Sequence, residues 1–199
     1  MGKRSAMIIL GILVAGGAAA IIGPAATAES ANPTLKDGSF ETTDLSDSHG
    51  YRAFEPDEEI GAWKLGSGVA DVLPGTKMDP VKGKQFLNLV ATKGKNGSIN
   101  QTVETIPGKK YVLAFNSTVL SGAGIEVQTL TVQAGEKSEG NHQWYSIDAT
   151  GLDAGQAGWH KAKYEFTAKS TKTTLSFTNS TPTTDEHGIC LDDITFSRA

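Results

Sequence analysis

After Ala28 the chain shows almost no helical periodicity; what recurs is a period of two. Tyr111, Leu113 and Phe115 alternate with Val112, Ala114 and Asn116, and Tyr164 and Phe166 alternate with Lys163, Glu165 and Thr167. Leu175 and Phe177 alternate in the same way with Thr174, Ser176 and Thr178. Successive side chains of a strand point to opposite faces, so each run offers one larger apolar face to a core. Segments 69–73, 85–91, 98–105, 109–118, 125–134, 142–149, 158–168, 172–179 and 188–197 read as strands. Turn chemistry separates them at Lys93-Gly94-Lys95-Asn96-Gly97, Pro107-Gly108, Ser121-Gly122-Ala123-Gly124 and Gly135-Glu136. Short strands at this spacing predict an all-β fold, an antiparallel β-sandwich or jelly roll. From Thr42 to Gly61 the chain turns polar and acidic and reads as a long surface loop.

The start of the chain has a different pattern. Lys3 and Arg4 precede an uncharged apolar run from Met7 to Ile22, Pro24 interrupts it, and Ala26-Thr27-Ala28 follows. This is the layout of a secretory signal peptide over 1–28, with cleavage expected after Ala28 and a single domain over 29–199. No cysteine follows the run and no hydrophobic tail closes the chain, so the expected mature protein is released outside the cell, or retained there by what it binds. The net charge of −4 becomes −6 without Lys3 and Arg4. That balance argues against nucleic acid or an anionic membrane as partner, both of which call for a basic face. Cys190 is single, so no internal disulfide forms, and it reads as a small buried apolar residue.

Two acidic signatures bracket the domain, Asp37-Gly38-Ser39-Phe40-Glu41 and Leu191-Asp192-Asp193-Ile194-Thr195-Phe196. In the second, Leu191 and the pair Ile194 and Phe196 fall on opposite parities, which an inserted residue at Asp192-Asp193 repairs; a β-bulge is expected there. Carboxylates from the first and last strands of a sandwich can meet and share a hard cation. Calcium takes 6–8 oxygen ligands, so Glu41 with Asp192 or Asp193, and carbonyls near Gly38 and in the Gly83–Gln85 turn, form a candidate structural site. The alternative is that these acids are solvated or bonded to backbone amides.

Trp63 and Trp159 read as core residues. In Asn141-His142-Gln143-Trp144-Tyr145-Ser146-Ile147-Asp148, burial of Ile147 turns Trp144 outward among polar groups. Trp144 is thus a candidate stacking platform, with His142, Asp148 and Tyr51 as further ligand-binding candidates; the alternative is that a loop such as Tyr51–Phe54 covers it. Catalysis is a poor fit. No acid pair sits in a recognisable glycosidase setting, the four histidines lack zinc spacing, and no G-x-S-x-G elbow is present.

Taken in order, further segments carry a resemblance: Gly61-Ala62-Trp63, Val69-Ala70-Asp71-Val72, Gly83-Lys84-Gln85-Phe86-Leu87-Asn88-Leu89, Gly97-Ser98-Ile99-Asn100-Gln101-Thr102, Pro107 to Phe115, Gly158-Trp159 and Gly188-Ile189-Cys190-Leu191-Asp192-Asp193-Ile194. With the Asp37–Glu41 signature they resemble the choice-of-anchor C and DUF642 proteins, galactose-binding-like jelly rolls related to carbohydrate-binding modules of the family 4/9/22 type. The resemblance implies an extracellular, wall-associated domain, and in the related modules a structural calcium at the positions of Glu41 and Asp192. The expectation is a secreted, non-catalytic module for an extracellular or cell-wall glycan. A surface or matrix protein-interaction domain is the runner-up, and an uncharacterised hydrolase the weaker alternative.

Overall fold

The computed structural model describes residues 33–46, 50–90, 97–120, 127–136, 141–181 and 188–199; the signal-like segment, His49 and His187 lie outside them. Twelve strands are present among these residues: β1 (Arg52–Phe54), β2 (Glu59–Ile60), β3 (Trp63–Ser67), β4 (Val69–Pro74), β5 (Gln85–Val90), β6 (Ser98–Glu104), β7 (Lys110–Val119), β8 (Val127–Ala134), β9 (His142–Asp148), β10 (His160–Thr167), β11 (Lys172–Asn179) and β12 (Ile189–Arg198). They form two six-stranded sheets, ordered β1-β4-β5-β12-β7-β10 and β2-β3-β6-β11-β8-β9. Every pairing is antiparallel, which makes the chain a β-sandwich of jelly-roll type.

The period-two runs face the core as their pattern dictates. Tyr111, Leu113, Phe115, Tyr164, Phe166, Leu175 and Phe177 are all buried in one cluster with Trp63 and Phe40. Phe177 meets Phe115 of the other sheet edge-on at 5.2 Å, tying the two sheets at the centre, and Trp63 of its own sheet at 5.9 Å. Asn179 adds a polar tie, its amide donating to the Leu89 carbonyl of the opposite sheet and to Gln128.

Three short strands, β1, β2 and β3, lie outside the segments expected from sequence, although β3 does alternate over Trp63–Ser67. β1 and β2 lie inside the stretch expected to be a loop, and each buries only one residue, Phe54 or Ile60. Two or three residues are too few for a period to show. The N-terminal segment corrects another expectation: Pro33 to Ser46 is not a strand. It crosses the sandwich end, burying Phe40 and receiving the Trp63 indole N–H on the Asp37 carbonyl at 2.9 Å. It meets β12 through one backbone bond, Ile194 N–H to the Gly38 carbonyl at 2.8 Å. The approach is so close that a Cβ on Gly38 would lie 1.9 Å from the Ile194 oxygen.

The two outer faces differ. In the first sheet β5 is buried at all six positions. A satellite cluster of Leu73, Met78, Phe86 and Cys190 lies beneath the β4–β5 connection, with Trp159 packed against it. Trp159, expected in the core from sequence, therefore lies outside the sandwich core, partly buried against this cluster. It precedes β10, sits edge-on to Phe86 at 5.9 Å, and donates its indole N–H to the Asp79 carbonyl. Cys190 is fully buried in this cluster, and burial pushes its thiol pKa up.

Candidate functional site

The second sheet keeps an open outer face. Its outward positions are Lys64 on β3, Ser98, Asn100 and Thr102 on β6, Thr174, Ser176 and Thr178 on β11, Thr129, Thr131 and Gln133 on β8, and His142, Trp144, Ser146 and Asp148 on β9. Hydroxyls pair across strands: Ser98 with Thr178 at 2.9 Å, Thr102 with Thr174 at 3.0 Å, and Thr131 with Ser180 at 2.6 Å. A hydroxyl carries one donor and two lone pairs, so each paired group keeps capacity for a ligand or water.

Trp144 stands at the edge of this face with 67% of its surface exposed. No loop among the described residues covers it, and Tyr51–Phe54 belongs to the far edge of the other sheet, on β1. Its orientation comes from strand parity. Ile147 and Tyr145 turn inward, Tyr145 meeting Phe115 edge-on at 5.2 Å and donating its hydroxyl to the Lys163 carbonyl on β10. Burial pushes the Tyr145 phenol up to about 12, so it stays a donor. The His142 ring lies against Trp144 at 4.9 Å, edge to face, and its Nδ1 is buried without a hydrogen-bond partner.

The other candidates do not all join this pair. Asp148 shares the face but lies four residues from Trp144, about 13 Å along the strand. Its carboxylate accepts the Thr150 N–H at 2.8 Å, and hydrogen bonds from Thr150 hold its pKa below the usual value. Tyr51 is exposed, but it precedes β1 on the opposite edge of the other sheet and shares no surface with Trp144. What sequence reasoning missed is the breadth of the face. Register across five strands places Lys64, Asn100, Ser176, Gln133 and His142 in one row, although pairing cannot be read from alternation alone.

The acidic signatures come together away from this face, Glu41 on the expected Gly83–Gln85 turn and Asp192 beside it, but against backbone N–H groups. The bulge is present: the β12–β7 register shifts between Asp192 and Thr195, and Asp193 takes a positive φ of 46°. Glu41 Oε1 accepts the N–H groups of Lys84 and Gln85 at 2.8 and 2.9 Å. Asp192, fully buried, accepts Lys82 N–H on Oδ2 at 2.8 Å and Asp193 N–H on Oδ1 at 2.6 Å. The two carboxylates thus grip one turn from two sides. A Cβ on Gly83 would fall 2.3 Å from Glu41 Oε1, so only glycine lets the carboxylate seat there. Burial raises the Asp192 pKa to about 6 against the lowering effect of these amides.

As arranged, this set does not fit a calcium shell. The turn presents N–H groups to the acids where carbonyls were expected, the Gly38 carbonyl is taken by Ile194 N–H, and the Lys82 ammonium sits 3.5 Å from Asp193. Among the described residues no three His, Cys, Asp or Glu side chains group to hold a metal. The acids are bonded to backbone amides, the alternative left open by the sequence.

The fold and this face define a class, a jelly-roll β-sandwich with one sheet covered in part by an apolar cluster and the other open. Residues 33–196 match the family described as protein of unknown function (DUF642), and the chain belongs to it. It is 28% identical over 170 residues to Halomucin of Haloquadratum walsbyi, covering 80% of this chain and 2% of that protein's length. Among solved structures it is similar to TmCBM61 in complex with β-1,4-galactotriose, at 18% identity and a TM-score of 0.50, covering 85% of this chain and all of the other. It is also similar to part of an arabinose-bound α-L-arabinofuranosidase, MgGH51, at 11% identity and a TM-score of 0.50, covering 84% of this chain and 26% of that one. At these identities the likeness establishes the fold alone.

Proposed function

We propose that this chain is a non-catalytic binding module for a glycan outside the cell, a cell-wall or other extracellular polysaccharide, with Trp144 as its stacking platform. The observation that carries the reading is a largely exposed indole on a face otherwise made of hydroxyls and amides. A sugar ring has an apolar C–H face and a rim of hydroxyls; an indole takes the first, and Ser, Thr, Asn and Gln side chains take the second. The same fold holding β-1,4-galactotriose in TmCBM61 supports it, and the leader-like start of the sequence supports an extracellular setting.

The test is a glycan array followed by calorimetry on each hit, for the native chain and Trp144→Ala. Losing burial of an aromatic side chain removes roughly 1.5–3 kcal/mol, so affinity should fall about tenfold to a hundredfold. Because Trp144 packs little in the free protein, the melting temperature should stay put. Unchanged glycan binding by the variant would remove Trp144 from the site, and the absence of any glycan ligand would remove the reading.

A further inference from the structure

We infer that the ligand is a single, soluble, linear glycan chain lying across the strands of the second sheet, from Trp144 and His142 to the cleft beside Lys64 and Asn100. The inference rests on the glycan-binding reading above and gives it a direction, a length and a substrate class.

Register supplies the track. One row runs Lys64, Asn100, Ser176, Gln133, His142, and its neighbour runs Ser67, Ser98, Thr178, Thr131, Trp144. Every member of both rows is polar except the indole that ends the second. Strands lie about 4.8 Å apart, so four gaps make a track of roughly 19 Å, and the two rows stand about 7 Å from each other. That is the width of one sugar chain and the length of about four sugars, since a hexopyranose advances a linear chain by close to one strand spacing.

The far end of the track is built as well. Lys64, Asn100 and Thr102 line a cleft of about 500 Å³ together with Thr34, Lys36 and Glu59. Charge there is balanced, because Lys64 is paired with Asp57 at 2.8 Å and Glu59 stands in the same cleft as Lys36. A neutral sugar suits it better than a uronate. Among the described residues, Trp144 is the one aromatic among the large apolar side chains exposed on this face. A crystalline polysaccharide surface needs a coplanar set of aromatics to spread over; one indole at the end of polar rows suits an isolated chain.

The experiment is calorimetry with β-1,4-linked gluco-, xylo- and galacto-oligosaccharides of two to six units. Affinity for whichever series binds should climb to about four units and then level. Ser176→Tyr, placed mid-track, should lower affinity for the tetramer by about tenfold or more and leave the dimer unchanged; Asn100→Ala, at the far end, should lower tetramer affinity about threefold to tenfold with the dimer again unchanged. Melting curves check both variants, and Asn100→Ala carries the test if the tyrosine disturbs the sheet. Equal affinity from dimer to hexamer, or a tetramer indifferent to both substitutions but lost with Trp144→Ala, would overturn the track and leave the binding function standing. Native protein that takes no oligosaccharide from any series and no glycan on the array would overturn both.

Discussion

Asp192→Asn tests the reading of the acidic signatures most directly. The native carboxyl is fully buried and faces the backbone N–H groups of Lys82, Asp193 and Val81, the Lys82 ammonium being drawn to Asp193 beside it. Burial wins over the amides and raises its pKa from 3.8 to about 6. The folded state therefore holds this proton more tightly than the unfolded chain does. Its contribution to stability is fully present below about pH 4 and is lost as pH rises through about 6. A shift of about two units corresponds to roughly 3 kcal/mol. Asparagine keeps the shape and has no charge to lose. Urea unfolding followed by tryptophan fluorescence, in EDTA, should therefore show Asp192→Asn gaining on the native protein by about 3 kcal/mol between pH 4 and 7. Taking the difference between the two proteins cancels the titration of the exposed acids. A bound calcium would reverse the sign, since it favours the ionised carboxylate. Native stability would then rise with pH, added calcium would raise it further, and the variant would lose ground. A difference that is flat across the range refutes the dominance of burial over the amides, and one that grows in the native protein's favour when calcium is added refutes the metal-free clamp.

Two further outcomes follow from packing. Gly38→Ala places a methyl group 1.9 Å from the Ile194 oxygen, and separating the N-terminal segment from β12 should cost about 2–3 kcal/mol, seen as a fall of roughly 5–10 °C in melting temperature; a loss under 1 kcal/mol would contradict the contact. Cys190, fully buried with a raised thiol pKa, should resist a thiol reagent in the native protein and react completely in denaturant, and rapid native labelling would show the satellite cluster to be open.

Alternation carried much of the fold because long strands repeat their signal. β7 and β11 show three or four inward residues each, so Tyr111, Leu113, Phe115, Leu175 and Phe177 could be placed in the core by parity. The bulge was legible for the same reason: Leu191 and Ile194 cannot both face inward without an extra residue between them. β1 and β2 escaped because a strand of three or two residues has no period; β1 pairs with β4 beyond two intervening strands, and β2 turns straight into β3 through Gly61-Ala62. Parity also turned Trp144 outward, but it could not say what lay beside it. Tyr51 was a candidate within the stretch read as a surface loop, and only strand order shows it and Trp144 at opposite edges. The acidic signatures were correctly expected to meet through their shared neighbourhood. Sequence offers no way to tell whether a turn will present N–H or C=O groups, and that choice separates a clamp from a metal site.

The clamp and the open face are parts of one arrangement. Glu41 and Asp192 fix Lys82 to Gln85 at the end of the β4–β5 connection, and the same connection lays Met78 over Phe86 and Cys190 and offers the Asp79 carbonyl to Trp159. Those contacts cover the part of the first sheet's outer face over β4, β5 and the start of β12 with apolar side chains. The second sheet meets water instead through outward Thr, Ser, Asn and Gln residues, each satisfied by a cross-strand neighbour or by solvent. A hydroxylated ligand competes with water on such a face at little desolvation cost, whereas the covered face would have to break a packed cluster to admit it. The acids that looked like the functional centre in the sequence thus serve the first sheet: they hold the connection that packs over Phe86 and Cys190, while the face proposed for binding belongs to the second.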